Sequence, residues 1–185
     1  MKGNTLRAAV AAAALFSGAS PAAARHEIGA IGPSGDRQTT VTCPPGEELR
    51  GFRGRSGVWI DQIQILCAGR NPDGSYRDAH AWGAALGGTG GAEQSDDCGS
   101  RQTLGNLSAL RTNDLRRIAK INFGCRSGSA MSGHEFGNGG YGRTEFGTAT
   151  VINGDCDRFG EVLVGIAVNY GKDVNGLGYV CDQRR

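Results

Sequence analysis

Residues 49–67 read LRGFRGRSGVWIDQIQILC. Ile63, Ile65 and Cys67 alternate with other residues at period two, which puts their side chains on one face of a half-buried strand. A first apolar run, Leu49 to Phe52, is separated from them by a polar, glycine-containing gap, the pattern of a β-hairpin. The skeleton returns twice, as LSALRTNDLRRIAKINFGC (107–125) and LVGIAVNYGKDVNGLGYVC (163–181). Leucine opens each copy (Leu49, Leu107, Leu163). A minimal side chain follows (Gly51, Ala109, Gly165), then an apolar one (Phe52, Leu110, Ile166). Ile60, Ile118 and Val174 begin the second strand of each hairpin, and each copy closes on cysteine (Cys67, Cys125, Cys181). The stretch RTNDLRRIAKI (111–121) looks helical when read alone, but its alignment with two strand copies makes it part of a hairpin.

The repeat extends upstream of the hairpin. His26, His80 and His134 stand 54 residues apart, each three residues before a glycine (Gly29, Gly83, Gly137) that opens a glycine-rich run. Units of about 26–79, 80–133 and 134–185 then fill the chain after its first 25 residues. Each unit accommodates about four strands. Three such units with internal symmetry fit a three-sheet prism or a β-trefoil, and a period near 54 is long for the latter. Thirty-two of the 185 residues are glycine, more than twice the usual ~7 %. With no collagen period, that abundance marks tight turns and close strand approaches.

Residues 1–24 have the form of a signal peptide: Lys2 and Arg7, an apolar run at 8–16, and Ala22-Ala23-Ala24 before a mature start near Arg25. The expected product is secreted or periplasmic. Losing Lys2 and Arg7 leaves 18 basic against 18 acidic residues, a balance that argues against nucleic acid or an anionic membrane as partner. No membrane insertion is expected, because no other segment reaches the roughly 18 apolar residues of a spanning helix. Six cysteines in an exported chain read as three disulfides. Fifteen pairings are possible; the repeat narrows them to pairing within units, Cys43–Cys67, Cys98–Cys125 and Cys156–Cys181. Each such loop stabilises by roughly 3 kcal/mol in the chain-entropy model.

The run GFRGRSGVWIDQIQI (51–65) resembles the last Greek key of jacalin-related lectins, in which a Gly-x-x-x-Asp loop joins two strands. The glycine run Gly32-Pro33-Ser34-Gly35 is also similar to that family. The plan of three units with paired cysteines resembles vitelline membrane outer layer protein I more closely still. Both families imply an all-β, β-prism I fold: three four-stranded Greek-key sheets about a pseudo-threefold axis. The jacalin resemblance implies a sugar site at Gly57-Val58-Trp59-Ile60-Asp61, with Asp61 accepting sugar hydroxyls and the backbone of Val58, Trp59 and Ile60 shaping the pocket. An exposed Trp59 would offer an apolar face to a pyranose. A glycine loop would stand beside it, either Gly87-Gly88, Gly90-Gly91 or the 29–35 run.

The bland reading of the same loop is a turn at Gly57 capped by Asp61. The other copies bear on this choice. The second has Leu115 and Ala119 at these places, and the third has Gly171 and Asn175. A fold requirement would give three similar answers, so the divergence favours a site in unit one, a weaker one at Gly171 and Asn175, and none in unit two. Three repeat-equivalent histidines could hold one metal if they met on the axis; otherwise each simply begins an equivalent strand. No metal or other cofactor is expected, since tight C-x-x-C pairs are lacking. The adjacent acids Glu47-Glu48 and Asp96-Asp97 point to opposite strand faces and do not suggest a glycosidase. Asn106-Leu107-Ser108 matches a glycosylation sequon. The expected activity is binding of a carbohydrate or glycoconjugate without catalysis. A coat protein of the vitelline type and a chito-oligosaccharide-processing enzyme are the alternatives.

Overall fold

The computed structural model describes residues 25–33, 36–112, 116–137, 150–156 and 160–183. Residues 1–24, Leu115 and most of the third glycine run lie outside these residues. Among the described residues there are twelve strands and no helix. They are β1 (His26–Ile31), β2 (Arg37–Thr42), β3 (Glu47–Ser56), β4 (Ile60–Gly69), β5 (His80–Gly87), β6 (Ala92–Asp97), β7 (Thr103–Arg111), β8 (Ile118–Ser127), β9 (Ala130–Phe136), β10 (Thr150–Asp155), β11 (Glu161–Tyr170) and β12 (Val174–Gln183).

They form three four-stranded antiparallel sheets: sheet I in the order β1-β12-β11-β2, sheet II in the order β5-β4-β3-β6, and sheet III in the order β10-β7-β8-β9. At the centre of each lies one of the hairpins read from the sequence, β3-β4, β7-β8 or β11-β12. Its flanking strands come from the next unit along the chain, and β1 and β2 close the circle around the last hairpin. The sequence repeat and the sheet are therefore half a unit out of phase, and every repeat contributes to two sheets.

The inward faces make one core. Leu49, Ile60, Ile63, Ile65, Leu107, Ile118, Ile121, Leu163, Val174 and Leu177 have at most 1 % of their surface exposed. Phe52 packs edge-on against Phe123 with ring centroids 5.5 Å apart, and against Phe136 at 6.1 Å. Fully burying side chains of this size stabilises by roughly 1.5–3 kcal/mol each.

The strand register corrects the second copy. Cys67 pairs with Leu49 and Cys181 with Leu163, but Cys125 pairs with Leu104, not Leu107. The residue matching Gly51 and Gly165 is thus Asn106, and the residue matching Phe52 and Ile166 is Leu107. The second tip is three residues longer: Arg111 pairs with Ile118, where Ser56 pairs with Ile60. A Cβ on Gly51 would lie 2.2 Å from the Asp96 carbonyl oxygen, and one on Gly165 2.3 Å from that of Val41. In sheet III the glycine has moved across the pair to Gly124, where a Cβ would meet the Asn106 side-chain oxygen at 2.4 Å.

All three cystines pair as the repeat implied: Cys43–Cys67, Cys98–Cys125 and Cys156–Cys181. Each first cysteine follows an outer strand of one sheet, and each second cysteine lies in a central strand of the next. Arg50 reinforces one of these junctions. Its buried guanidinium stacks 3.7 Å above the Tyr76 ring and donates to the carbonyl oxygens of Cys98 (2.9 Å), Gly99 (2.8 Å) and Gln102. Replacing Cys98 and Cys125 together by serine should cost about 3 kcal/mol. In a chain of this size that lowers Tm by about 6–12 °C, as calorimetry would show. An unchanged Tm would deny the cystine its stabilising role.

Candidate functional site

The described residues of the three hairpin tips, 57–59, 112 with 116–117, and 171–173, converge at the end of the prism away from the disulfides. The indole N–H of Trp59 donates to Asp173 Oδ1 at 3.0 Å. Arg117 lies 4.0 Å above the Trp59 ring and donates to Asp173 Oδ2 at 2.7 Å. The Asn175 amide donates to the Arg116 carbonyl oxygen at 3.0 Å. This overturns the expectation of an exposed Trp59. The ring is half-buried, with its N–H and one face committed to neighbouring tips, so it joins the sheets instead of presenting a platform. Val58 is the exposed apolar side chain of its tip, and Ile60 points fully into the core.

Asp61 follows Ile60 and turns outward, half-buried. The glycine loop beside it is the one between β5 and β6, where Gly87-Gly88 and Gly90-Gly91 both stand. The Gly88 N–H donates to the Asp61 carbonyl oxygen at 2.8 Å. A Cβ on Gly90 would lie 2.4 Å from Asp61 Oδ1, and one on Gly91 2.6 Å from Oδ2, so both carboxylate oxygens lie against glycine backbone. Gly91 also has φ +64°, a conformation that glycine takes at no steric cost. Arg55 fastens this loop from below, donating through Nε to the Thr89 and Gly90 carbonyl oxygens and through its terminal nitrogen to Gly91 at 2.7 Å. Gly87 would bring a Cβ 2.1 Å from the Asp61 carbonyl oxygen, and Gly88 one 2.4 Å from the Lys172 carbonyl oxygen. Gly57, Val58, Asp61, Gly87 and Gly88 are therefore neighbours, with the sheet I tip against one side.

Searches with the sequence matched no family model and no curated protein. Comparison of the whole structure gives a clear answer. A Malaysian banana lectin variant superposes with a TM-score of 0.56 at 15 % identity, covering 87 % of this chain and 99 % of that one. A mannose-binding jacalin-related lectin from Ananas comosus gives 0.52 at 19 % identity, covering 86 % and 98 %. Calsepa lectin, in complex with a biantennary N-glycan, gives 0.52 at 15 % identity, covering 89 % and 99 %. The fold is that of the jacalin-related lectins.

Within this jacalin-type fold the other two hairpin ends are built differently. In sheet I, Gly171 faces Asp36, whose Oδ2 is 2.8 Å from where a Cβ would stand, and the Asn175 amide is engaged by the sheet III tip. In sheet III the loop after Gly137 lies outside the described residues. The histidines are also not all equivalent. His26 pairs with Cys181 and His80 with Cys67, but the residue paired with Cys125 is Ser132, and His134 sits two places further on. The tight turn at residues 128–129 sets that register. His80 Nε2 lies 3.4 Å from Glu47, and His134 Nδ1 lies 3.0 Å from Asp96. Among the described residues, the one group of three potential metal ligands is His26, Glu161 and Cys181, whose sulfur is spent in a disulfide. Of the acidic pairs, Asp96 faces His134, while Glu48 accepts from the Tyr76 hydroxyl.

Asp61 has its carboxyl raised above the ordinary carboxylate range, first by burial and then by the charge of Asp173; Trp59, Gly57 and Arg55 pull the other way. A folded-state value above the unfolded one means that the folded chain holds this proton more tightly. The associated stability is present below the unfolded value and lost as pH rises through the folded one. At neutral pH the ionised Asp61 thus opposes folding. Asp61→Asn should be as stable as wild type or slightly more so at pH 7, with the difference closing as both are melted at progressively lower pH. A variant markedly less stable at pH 7 would make Asp61 a structural cap.

Proposed function

We propose that the protein binds a carbohydrate at the 57–61 hairpin loop and the glycine loop 87–91. The observation that carries this reading is Asp61: a partly desolvated carboxylate, opposed by Asp173, set between glycine backbones. Glycine at 90 and 91 keeps side chains from covering the carboxylate, and charged acceptors make the stronger hydrogen bonds to hydroxyls. Backbone N–H groups of the tip supply donors, and exposed Val58 supplies an apolar contact. Trp59 has no direct sugar contact in this scheme; its part is to hold the tip in place. The same arrangement is absent at Asn175, whose amide is engaged, so the proposed second site at Gly171 and Asn175 is the weaker one.

The structural neighbours include proteins described as mannose-binding and as holding an N-glycan. A mannose-containing glycan is accordingly the first ligand class to test. Residues 1–24, read as a signal peptide, would make this a secreted or periplasmic binding protein.

Asp61→Asn exchanges an acceptor oxygen for a donor, so two hydroxyls can no longer be accepted. The loss is about 1.5–3 kcal/mol, a tenfold or greater drop in affinity, read by calorimetric titration with a mannose oligosaccharide. Binding to wild type should also weaken as pH falls through the raised Asp61 value. Equal affinities for the two proteins would remove this loop as the site, and no binding of wild type to any glycan would favour the coat-protein reading.

A further inference from the structure

The two tryptophans have opposite environments. Trp59 is locked between tips, whereas Trp82, on the edge strand β5, is 43 % exposed. Trp82 pairs with Ile65, and the residues in the same register elsewhere are Ile28, opposite Tyr179, and His134, opposite Phe123. Ile28 packs against the core, and the His134 ring stacks on Phe123 at 5.4 Å. The fold therefore accepts a medium-sized, inward-packed residue at this place. A large indole left open to water in one copy is not explained by packing. Polar groups stand beside it. The His80 ring lies edge-on to the indole at 6.4 Å, and His80 Nε2 is 3.4 Å from a Glu47 oxygen. From Ala81 to Ala92 the chain carries no charge, and Gly83, Ala84 and Ala85 are small and exposed. β5 bulges between Trp82 and Leu86, so Trp82 and Gly87 stand opposite Ile65 and Gln62, three residues apart on β4 and about 10 Å at the strand rise.

We propose that Trp82, with His80 and Glu47 beside it, is a second glycan contact, taking the C–H face of a neutral pyranose. The choice of ligand class rests on the carbohydrate-binding reading; the placement of the contact does not. An indole is the aromatic surface with the largest area for such stacking, and its neighbours supply donors and acceptors for the ring's hydroxyls. From Ala81 to Ala92 the strand offers no cation to hold an acidic sugar, which favours a neutral one. A glycan long enough to run along β5 engages both this platform and the Asp61 loop, and gains by the second contact being intramolecular. A monosaccharide engages only one.

The test uses soluble mannan and chitotetraose as probes. In affinity electrophoresis, Trp82→Ala should be retarded less than wild type by one of these probes, with binding about two- to tenfold weaker. Trp82→Phe, which keeps an aromatic face, should recover most of the retardation. In a Trp59→Phe protein, where Trp82 is the only indole, the same probe should quench emission saturably. Trp82→Ala binding both probes as wild type does, with emission unmoved, would overturn the proposal. Asp61→Asn run alongside separates the two readings. Loss with Asp61→Asn alone leaves the loop site and removes Trp82, and loss with Trp82→Ala alone does the reverse.

Discussion

Three cystines that run between sheets set the plan of this molecule. Each repeat is divided, giving its first two strands to one sheet and its hairpin to the next. A disulfide within a repeat is then a bond between two sheets. Three such bonds close a ring of three sheets at one end of the prism. An edge-bearing sheet of four strands cannot bury both faces alone. Joined in a ring, the three turn one face each into a shared core of leucine, isoleucine, valine and phenylalanine.

With one end stapled, the opposite end is held by side chains, and there the three copies diverge. Arg117, Asp173 and Trp59 lock the tips to one another. Next to that lock, sheet II carries a carboxylate that burial and a like charge both disfavour. Natural chains retain such groups where they are used, and pay in stability for it. The neighbouring glycines fit the same view: the backbone approaches Asp61 so closely that side chains are excluded.

Much of this was legible in the sequence. The hairpins and the cystine pairing followed from a repeat whose alternation and closing cysteines recur three times, and the β-prism from that repeat together with the family resemblance of residues 51–65. The register of the second copy did not. Ala109 is a small residue on β7 that mimics Gly51 and Gly165 along the chain, whereas the position that must be small is Gly124 on the partner strand. Compensation across a strand pair leaves no mark on one strand read alone. His134 misled in a similar way, since equal spacing along the chain survived a two-residue slide in pairing. The loop of Asp61 was legible because its residues are close in sequence. The fate of Trp59 was not, because its partners Arg117 and Asp173 come from the other two sheets, and Arg50 hid its anchoring role for the same reason.

The central claim is that the ligand is held where the sheet II tip meets its glycine loop. Hydrogen exchange followed by peptide mass spectrometry, with and without a saturating mannose oligosaccharide, tests it without altering the chain. The account predicts slowed exchange in peptides covering 57–61 and 87–91. Protection confined to the sheet I tip at 171–175, or none anywhere at saturation, would contradict it.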